Sequence, residues 1–142
     1  MILSKSCEYA IRASIYIAKQ SEEGFKSSIV EISEAIKSPQ HFTAKILQVL
    51  VKSKIISSHK GPTGGFFIEA DQDVYIIDIV KAIDGDGLFT NCVLGLKLCS
   101  DKEPCPLHNE ILTVRTKITH IFSKKSLKGL AADFDINNLF LS

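Results

Sequence analysis

The 142-residue sequence predicts a mainly α-helical fold with one small β-hairpin wing: a winged helix-turn-helix followed by a long C-terminal dimerisation helix. Three observations lead there. Two short helical segments meet at Ser38-Pro39. A glycine-rich hairpin tip, Gly61-Pro-Thr-Gly-Gly65, follows soon after, and Leu107, Ile111, Val114, Ile118 and Ile121 recur at steps of four and three. The length suits a single compact domain able to bury a core, and 45% hydrophobic with 23% charged residues is ordinary for a soluble protein. No run of 18 apolar residues exists, which argues against a membrane span. The first residues lack a basic stretch followed by an apolar one, so no secretory signal is read and a cytoplasmic location is expected. In that setting four cysteines indicate metal or redox chemistry, not a disulfide frame.

The first helix is predicted over 4–19, capped by Ser4 or Ser6, with Glu8 at its positive end and a wide apolar face through Tyr9, Ala10, Ala13 and Ile17. Cys7, in its first turn, reads as a small buried hydrophobe. Ser28-Ile-Val-Glu31 is a capping box, and Ile29, Ile32, Ala35 and Ile36 carry a second helix to about residue 37. Ser38 as N-cap and Pro39 at the first position restart the chain as a third helix. Phe42, Ile46, Val49 and Leu50 form its expected buried stripe, leaving Gln40, His41, Thr43, Ala44, Lys45 and Gln48 outward.

Runs 55–60 and 66–69 are β-rich and make the hairpin. Asp73 is expected to cap a helix over 76–83, which stops at Asp84-Gly85-Asp-Gly87. The 107–121 seam has the spacing of a coiled-coil face and reads as a subunit interface. After it, Ser126-Leu-Lys-Gly-Leu forms a turn or short helix. Phe134, Ile136, Leu139, Phe140 and Leu141 suggest that the tail docks.

A net charge of +1 hides an asymmetry. Residues 1–62 carry nine Lys/Arg against five Asp/Glu, whereas residues 63–142 carry eight against eleven. Between Ala35 and Ile68 there is no acidic residue, but there are Lys37, Lys45, Lys52, Lys54, Lys60, His41 and His59. A one-sign stretch of this kind suits a polyanion. The third helix is therefore the expected reader of a DNA major groove, with Gln40, His41 and Thr43 near base edges, Lys45 nearer phosphate, and Ser38 also among the DNA-binding residues. Lys60, Thr63 and Gly64 would bring the wing against the backbone.

Cys92-Val-Leu-Gly-Leu-Lys-Leu-Cys99-Ser-Asp-Lys-Glu-Pro-Cys105-Pro-Leu-His108 gathers three thiols and an imidazole, the ligands of soft and borderline metals. Zinc sites commonly use pairs two to four residues apart. Here the gaps are six and five, wide enough for a two-iron, two-sulfide cluster with a histidine ligand. Pro106 suits the first helical position, which would put Cys105 at the N-cap and His108 one turn along on the same face. A zinc-stabilised or purely thiol-based sensor remains an alternative. A thiol oxidoreductase is disfavoured because no C-x-x-C is present.

Four stretches, Ser4-Lys-Ser-Cys-Glu-Tyr-Ala-Ile-Arg-Ala, Ser38-Pro-Gln-His-Phe-Thr-Ala-Lys-Ile-Leu, Lys60-Gly-Pro-Thr-Gly-Gly-Phe and Ile83-Asp-Gly, resemble the IscR/NsrR/CymR family of bacterial winged helix-turn-helix regulators. The three-cysteine loop before a long helix resembles the cluster-binding members. The resemblance covers nearly the whole chain. It implies a homodimer on palindromic double-stranded DNA, sensing redox state, nitric oxide or iron–sulfur status through a [2Fe-2S]-type cluster, with no enzymatic activity. It further implies Cys92, Cys99 and Cys105 as ligands, with His108 completing the set. In some relatives the fourth ligand is an acidic side chain from the partner's first helix, which makes Glu8 the alternative. The expected division is a DNA-binding domain over 1–84, a cluster loop over 85–105, and a dimerisation helix with docked tail over 106–142.

Overall fold

The computed structural model describes residues 2–135, and among these the chain forms seven helices and one two-stranded hairpin. Helix α1 (Lys5–Glu22) starts where the Ser4 hydroxyl accepts the Cys7 amide, at 3.0 Å, and runs three residues past its predicted end. Small residues on several sides let its neighbours approach. Ala10, Ala13, Ser14 and Ala18 are buried beside Ile15 and Ile17, and α1 becomes the central rod of the core. Cys7 is fully buried, as expected, and burial pushes its thiol up to about 12.

The Ser28/Glu31 capping box forms as predicted, with the Glu31 amide to the Ser28 hydroxyl at 3.1 Å and the Ser28 amide to the Glu31 carboxylate at 3.2 Å. It opens α2 (Ile29–Ile36), which ends on Lys37 in the left-handed region, φ 52°. The Ser38 amide then reaches back to the Ser33 carbonyl, closing the tight turn into α3 (Gln40–Lys52). Pro39, not Ser38, is the N-cap of α3; Ser38 is buried, and its hydroxyl has no partner among the described residues.

The buried face of α3 is Thr43, Ile46, Leu47 and Leu50, rotated from the predicted one. Val49 is exposed, and Phe42 sits at the margin, edge-to-face with Tyr9 at 5.6 Å. Thr43 can turn inward because its hydroxyl donates to the Pro39 carbonyl at 3.0 Å, so a polar side chain is buried with its hydrogen bond made.

Strands β1 (Ser57–His59) and β2 (Gly65–Phe67) pair antiparallel with Ser58 opposite Phe66. Both are shorter than the predicted runs, because Ile55, Ile56 and Ile68 leave the hairpin to enter the core, and Lys60 lies beyond the paired residues. Ser27 pairs with Phe66 through two backbone bonds of 2.9 and 2.7 Å, so the approach to α2 lies along the hairpin. The tip requires glycine. A Cβ on Gly64 would meet the His59 carbonyl oxygen at 2.2 Å, and Gly65 has φ +143°.

Helix α4 (Ile76–Asp84) is capped by Asp78, whose carboxylate takes the Tyr75 amide at 2.8 Å; the predicted cap Asp73 plays no such part. At its far end Asp84 accepts the Ser4 amide, at 3.0 Å, and the Ser4 hydroxyl, fastening α4 to the start of α1. A short helix, α5 (Gly87–Thr90), occupies part of the predicted loop. Helix α6 (His108–Lys124) begins later than predicted: Cys105 and Pro106 precede it, and Leu107 is its N-cap. Cys105 is therefore not at the helix N-cap.

The chain then returns to the base of α4. The Ile76 amide donates to the Lys125 carbonyl at 3.0 Å, and the Leu127 amide to Val74 at 2.7 Å. Helix α7 (Leu127–Ala132), capped by the Ser126 hydroxyl, packs on α1, where Lys19 donates to the Ala131 carbonyl. Phe134 packs against the core, while Ile136, Leu139, Phe140 and Leu141 lie outside the described residues. No described helix is long and apolar enough to cross a membrane.

Candidate metal centre and nucleic-acid interface

Three backbone turns bring the cysteines together. The Gly95 amide returns to the Cys92 carbonyl at 2.9 Å, with Gly95 at φ +73° reversing the chain. Residues 100–103 close by two bonds, Ser100 amide to Glu103 carbonyl and Glu103 amide to Ser100 hydroxyl, 3.2 and 3.1 Å. The His108 amide donates to the Cys105 carbonyl at 3.0 Å as α6 begins. Arg115 on α6 donates to the carbonyl of Asn91 and so ties the start of the loop to the helix.

The result is a cluster of donors. The Sγ atoms of Cys92, Cys99 and Cys105 lie within 4.8 Å of one another, with Cys92 and Cys105 at 3.7 Å. His108 Nδ1 stands 3.3 Å from Cys99 Sγ, and its Nε2 stands 2.8 Å from Asp101 Oδ1. The thiols share their charge unequally. The Leu96 amide, followed by that of Leu94 and the neighbouring thiols, lowers Cys92 to about 7. At Cys99 the Cys105 amide favours the thiolate, but burial and the adjacent sulfurs outweigh it and raise the thiol. Three thiols this close resist ionising together unless a cation neutralises them, so metal binding here would release protons.

The donor set fits a metal centre of three sulfurs and one nitrogen. A single tetrahedral ion with bonds of about 2.3 Å to sulfur needs sulfur–sulfur edges of about 3.8 Å, close to the Cys92–Cys105 distance. A two-iron cluster would draw on the same four residues. Val93, Leu94, Leu96, Lys97 and Leu98 are all exposed, so the loop can adjust around a bound group without displacing a core residue. Glu8, half-exposed in the first turn of α1, is not part of this cluster within one chain.

Sequence reasoning overlooked Asp101 and Arg115. A signal for the first was present: Ser100-Asp-Lys-Glu103 repeats the S-x-x-E pattern that marks a backbone-capping turn. Nothing in the local sequence marks Arg115.

On the basic side, Gln40, His41, Lys45 and Gln48 are exposed on α3, and Lys60 and Thr63 are exposed at the hairpin tip. Two expected contacts face inward. Thr43 is fully buried and Ser38 nearly so, and neither presents its hydroxyl to a groove. Gly64 spends its amide on the Gly61 carbonyl, so its part is to shape the tip. All five lysines of the acid-free stretch, Lys37, Lys45, Lys52, Lys54 and Lys60, are exposed.

The predicted seam of α6 is largely uncovered in the single chain. Leu107, Val114 and Ile121 are 39%, 52% and 58% exposed, while Ile111 and Ile118 line an apolar groove of about 280 Å³ against α5. Phe122, off the seam, anchors α6 by an edge-on contact with Phe89.

The profile of the Rrf2 family, described as iron-dependent transcriptional regulators, matches residues 3–133. An HTH-type transcriptional regulator described from Aquifex aeolicus is 30% identical over 133 residues, covering 92% of this chain and 91% of its own. The regulator IscR of Xenorhabdus nematophila is 25% identical over 137 residues, 96% of this chain and 82% of its own. Among solved structures, CymR, the global cysteine regulator of B. subtilis, superposes with a TM-score of 0.75 at 19% identity, covering 94% of this chain and 98% of CymR. T. potens IscR gives 0.72 at 19% identity, with 92% and 86% covered. These two structures speak to the fold alone.

Proposed function

The chain belongs to the Rrf2 family of transcriptional regulators, and from that premise we propose that it is a cytoplasmic homodimer reading palindromic DNA under the control of a [2Fe-2S]-type cluster in the 92–108 loop. As a family member it is a DNA-binding regulator and not an enzyme. In this reading residues 1–84 bind DNA, 85–105 carry the sensor, and 106–142 hold the dimer and the tail.

One observation carries the sensor: Cys92, Cys99 and Cys105 converge within 4.8 Å, with His108 Nδ1 beside Cys99. These four residues are the proposed ligands, with Glu8 of the partner subunit the rival for the fourth place. When bound, a cluster supplies iron–ligand bonds whose strength follows its oxidation state and surroundings.

The protein's own part is transmission. His108 is the first residue of α6, and Arg115 grips the carbonyl before Cys92, so the shape of the loop is felt at two points of one helix. With Leu107, Ile111, Val114, Ile118 and Ile121 pairing two chains, that helix sets the separation of the two α3 copies. Half-sites one helical turn apart tolerate little error in this separation. Control is then a population shift between dimer geometries that hold the ligand set unequally well. At the DNA, Gln40 and His41 read base edges while Lys45, Lys60 and Thr63 meet the backbone.

A second reading has its own observation. The 3.7 Å separation of Cys92 and Cys105 is close to the sulfur–sulfur edge of about 3.8 Å that one tetrahedral zinc ion needs. Anaerobic purification with visible spectra and iron, sulfide and zinc analysis separates the two. Equal iron and sulfide with visible absorption supports the cluster; a colourless protein with one zinc per chain supports the second. Protein that holds neither, and takes up neither on reconstitution, overturns both.

A further inference from the structure

Asp101 has no evident task in the fold. Its side chain is 87% exposed, yet its Oδ1 meets His108 Nε2 at 2.8 Å, where the imidazole is only 11% exposed. An exposed carboxylate held so is not a random surface pairing, because the backbone presents it. The turn 100–103 is closed at both ends by the Ser100 and Glu103 bonds, and Asp101 sits within it, two residues after Cys99. The same imidazole turns its other nitrogen, Nδ1, to Cys99 Sγ at 3.3 Å.

A neutral imidazole carries one proton on two nitrogens, and a carboxylate can only accept. Opposite Asp101 the proton belongs on Nε2, which leaves the Nδ1 lone pair directed toward the three thiols. Metal-bound histidines commonly donate their remaining N–H to such a carboxylate, which orients the ring and strengthens its bond to the metal.

We infer that Asp101 is a positioning residue: held by the 100–103 turn, it fixes His108 as the Nε2–H tautomer and makes Nδ1 the ligand atom of the centre. This rests on the proposal above that His108 is a ligand, and it adds which nitrogen binds and what holds it ready.

The test uses the reduced, metal-free full chain under anaerobic conditions, with Co²⁺ as the probe. Long-range ¹H–¹⁵N correlations of His108 report its tautomer before any metal is added; chelator competition then gives the Co²⁺ affinity. In the wild type Nε2–H should dominate. Asp101→Ala should mix the tautomers and weaken Co²⁺ binding about 10–100-fold. Asp101→Asn, whose carbonyl still accepts a hydrogen bond, should keep the tautomer and recover most of the affinity. On a His108→Ala background, Asp101→Ala should change nothing further. A wild-type tautomer and affinity in Asp101→Ala overturns the inference, as does an equal loss on the His108→Ala background. Unchanged Co²⁺ affinity and spectrum in His108→Ala alone is a different failure: it removes His108 as ligand, and this inference with it.

Discussion

Replacing Thr43 by valine tests which face of α3 meets DNA. Thr43 is fully buried, and its hydroxyl donates to the Pro39 carbonyl at 3.0 Å. That carbonyl also accepts the Thr43 amide at 2.9 Å, so losing the hydroxyl orphans nothing. A typical intramolecular hydrogen bond contributes about 0.5–1.5 kcal/mol net, and a buried methyl in place of the hydroxyl returns much of this. The expected change is therefore below about 1 kcal/mol, or roughly 4 °C in Tm for a domain of this size. Operator affinity should move less than about twofold. Gln40→Ala should do the opposite: stability unchanged, and a loss of about 1–3 kcal/mol on the cognate site with relaxed preference at one position. Thermal unfolding and fluorescence anisotropy on matched and mismatched duplexes measure both. Relaxed sequence preference in Thr43→Val, with stability intact, would put Thr43 on the DNA face and refute the burial argument.

Other expectations follow from particular contacts. Gly64→Ala sets a Cβ against the His59 carbonyl, so the hairpin should lose amide protection in hydrogen exchange while the helices keep theirs, and DNA affinity should fall. Lys45→Ala should weaken binding to every sequence and reduce the log–log salt slope by about 0.9 if it neutralises one phosphate. Ile118→Glu puts a charge into the proposed α6 interface, and sedimentation at micromolar concentration should show monomers where the wild type is a dimer. Alkylation separates the cysteines by pH because only the thiolate reacts: in metal-free protein Cys92 should gain reactivity as pH rises through about 7. Cys7, with its thiol raised to about 12, should stay unmodified across that range unless the protein unfolds. A Cys7 that reacts as fast as Cys92 in folded protein would count against the central place of α1.

Much of this architecture was legible because its signals are local. The Ser28/Glu31 box, the break at Pro39 and the Gly61–Gly65 tip each act within a few residues, and each formed where the pattern put it. The three cysteines were legible by composition, since three of the four thiols fall within fourteen residues. Where reading failed, the deciding partner was distant or unconventional. Val49 is as apolar as Ile46, and only packing by α1, α2 and α4 chooses Thr43 and Leu47 over it. Asp78 rather than Asp73 caps α4 because a carboxylate three residues inside a helix can serve as well as one before it. The late start of α6 goes with a turn through Cys105, closed by the His108 amide on the Cys105 carbonyl, which no helix rule predicts.

The paired amides at Ile76 and Leu127 have a consequence in chain entropy. They pin both ends of the excursion that holds α4, α5, the cysteine loop and α6, so the loop's length hardly matters to the rest. For a closed segment of roughly fifty residues, inserting five more adds only about 0.1 kcal/mol to the cost of closure. Residues inserted into or removed from the loop should therefore leave α1 to α3 folded, because the Ile76 and Leu127 bonds close the segment without it.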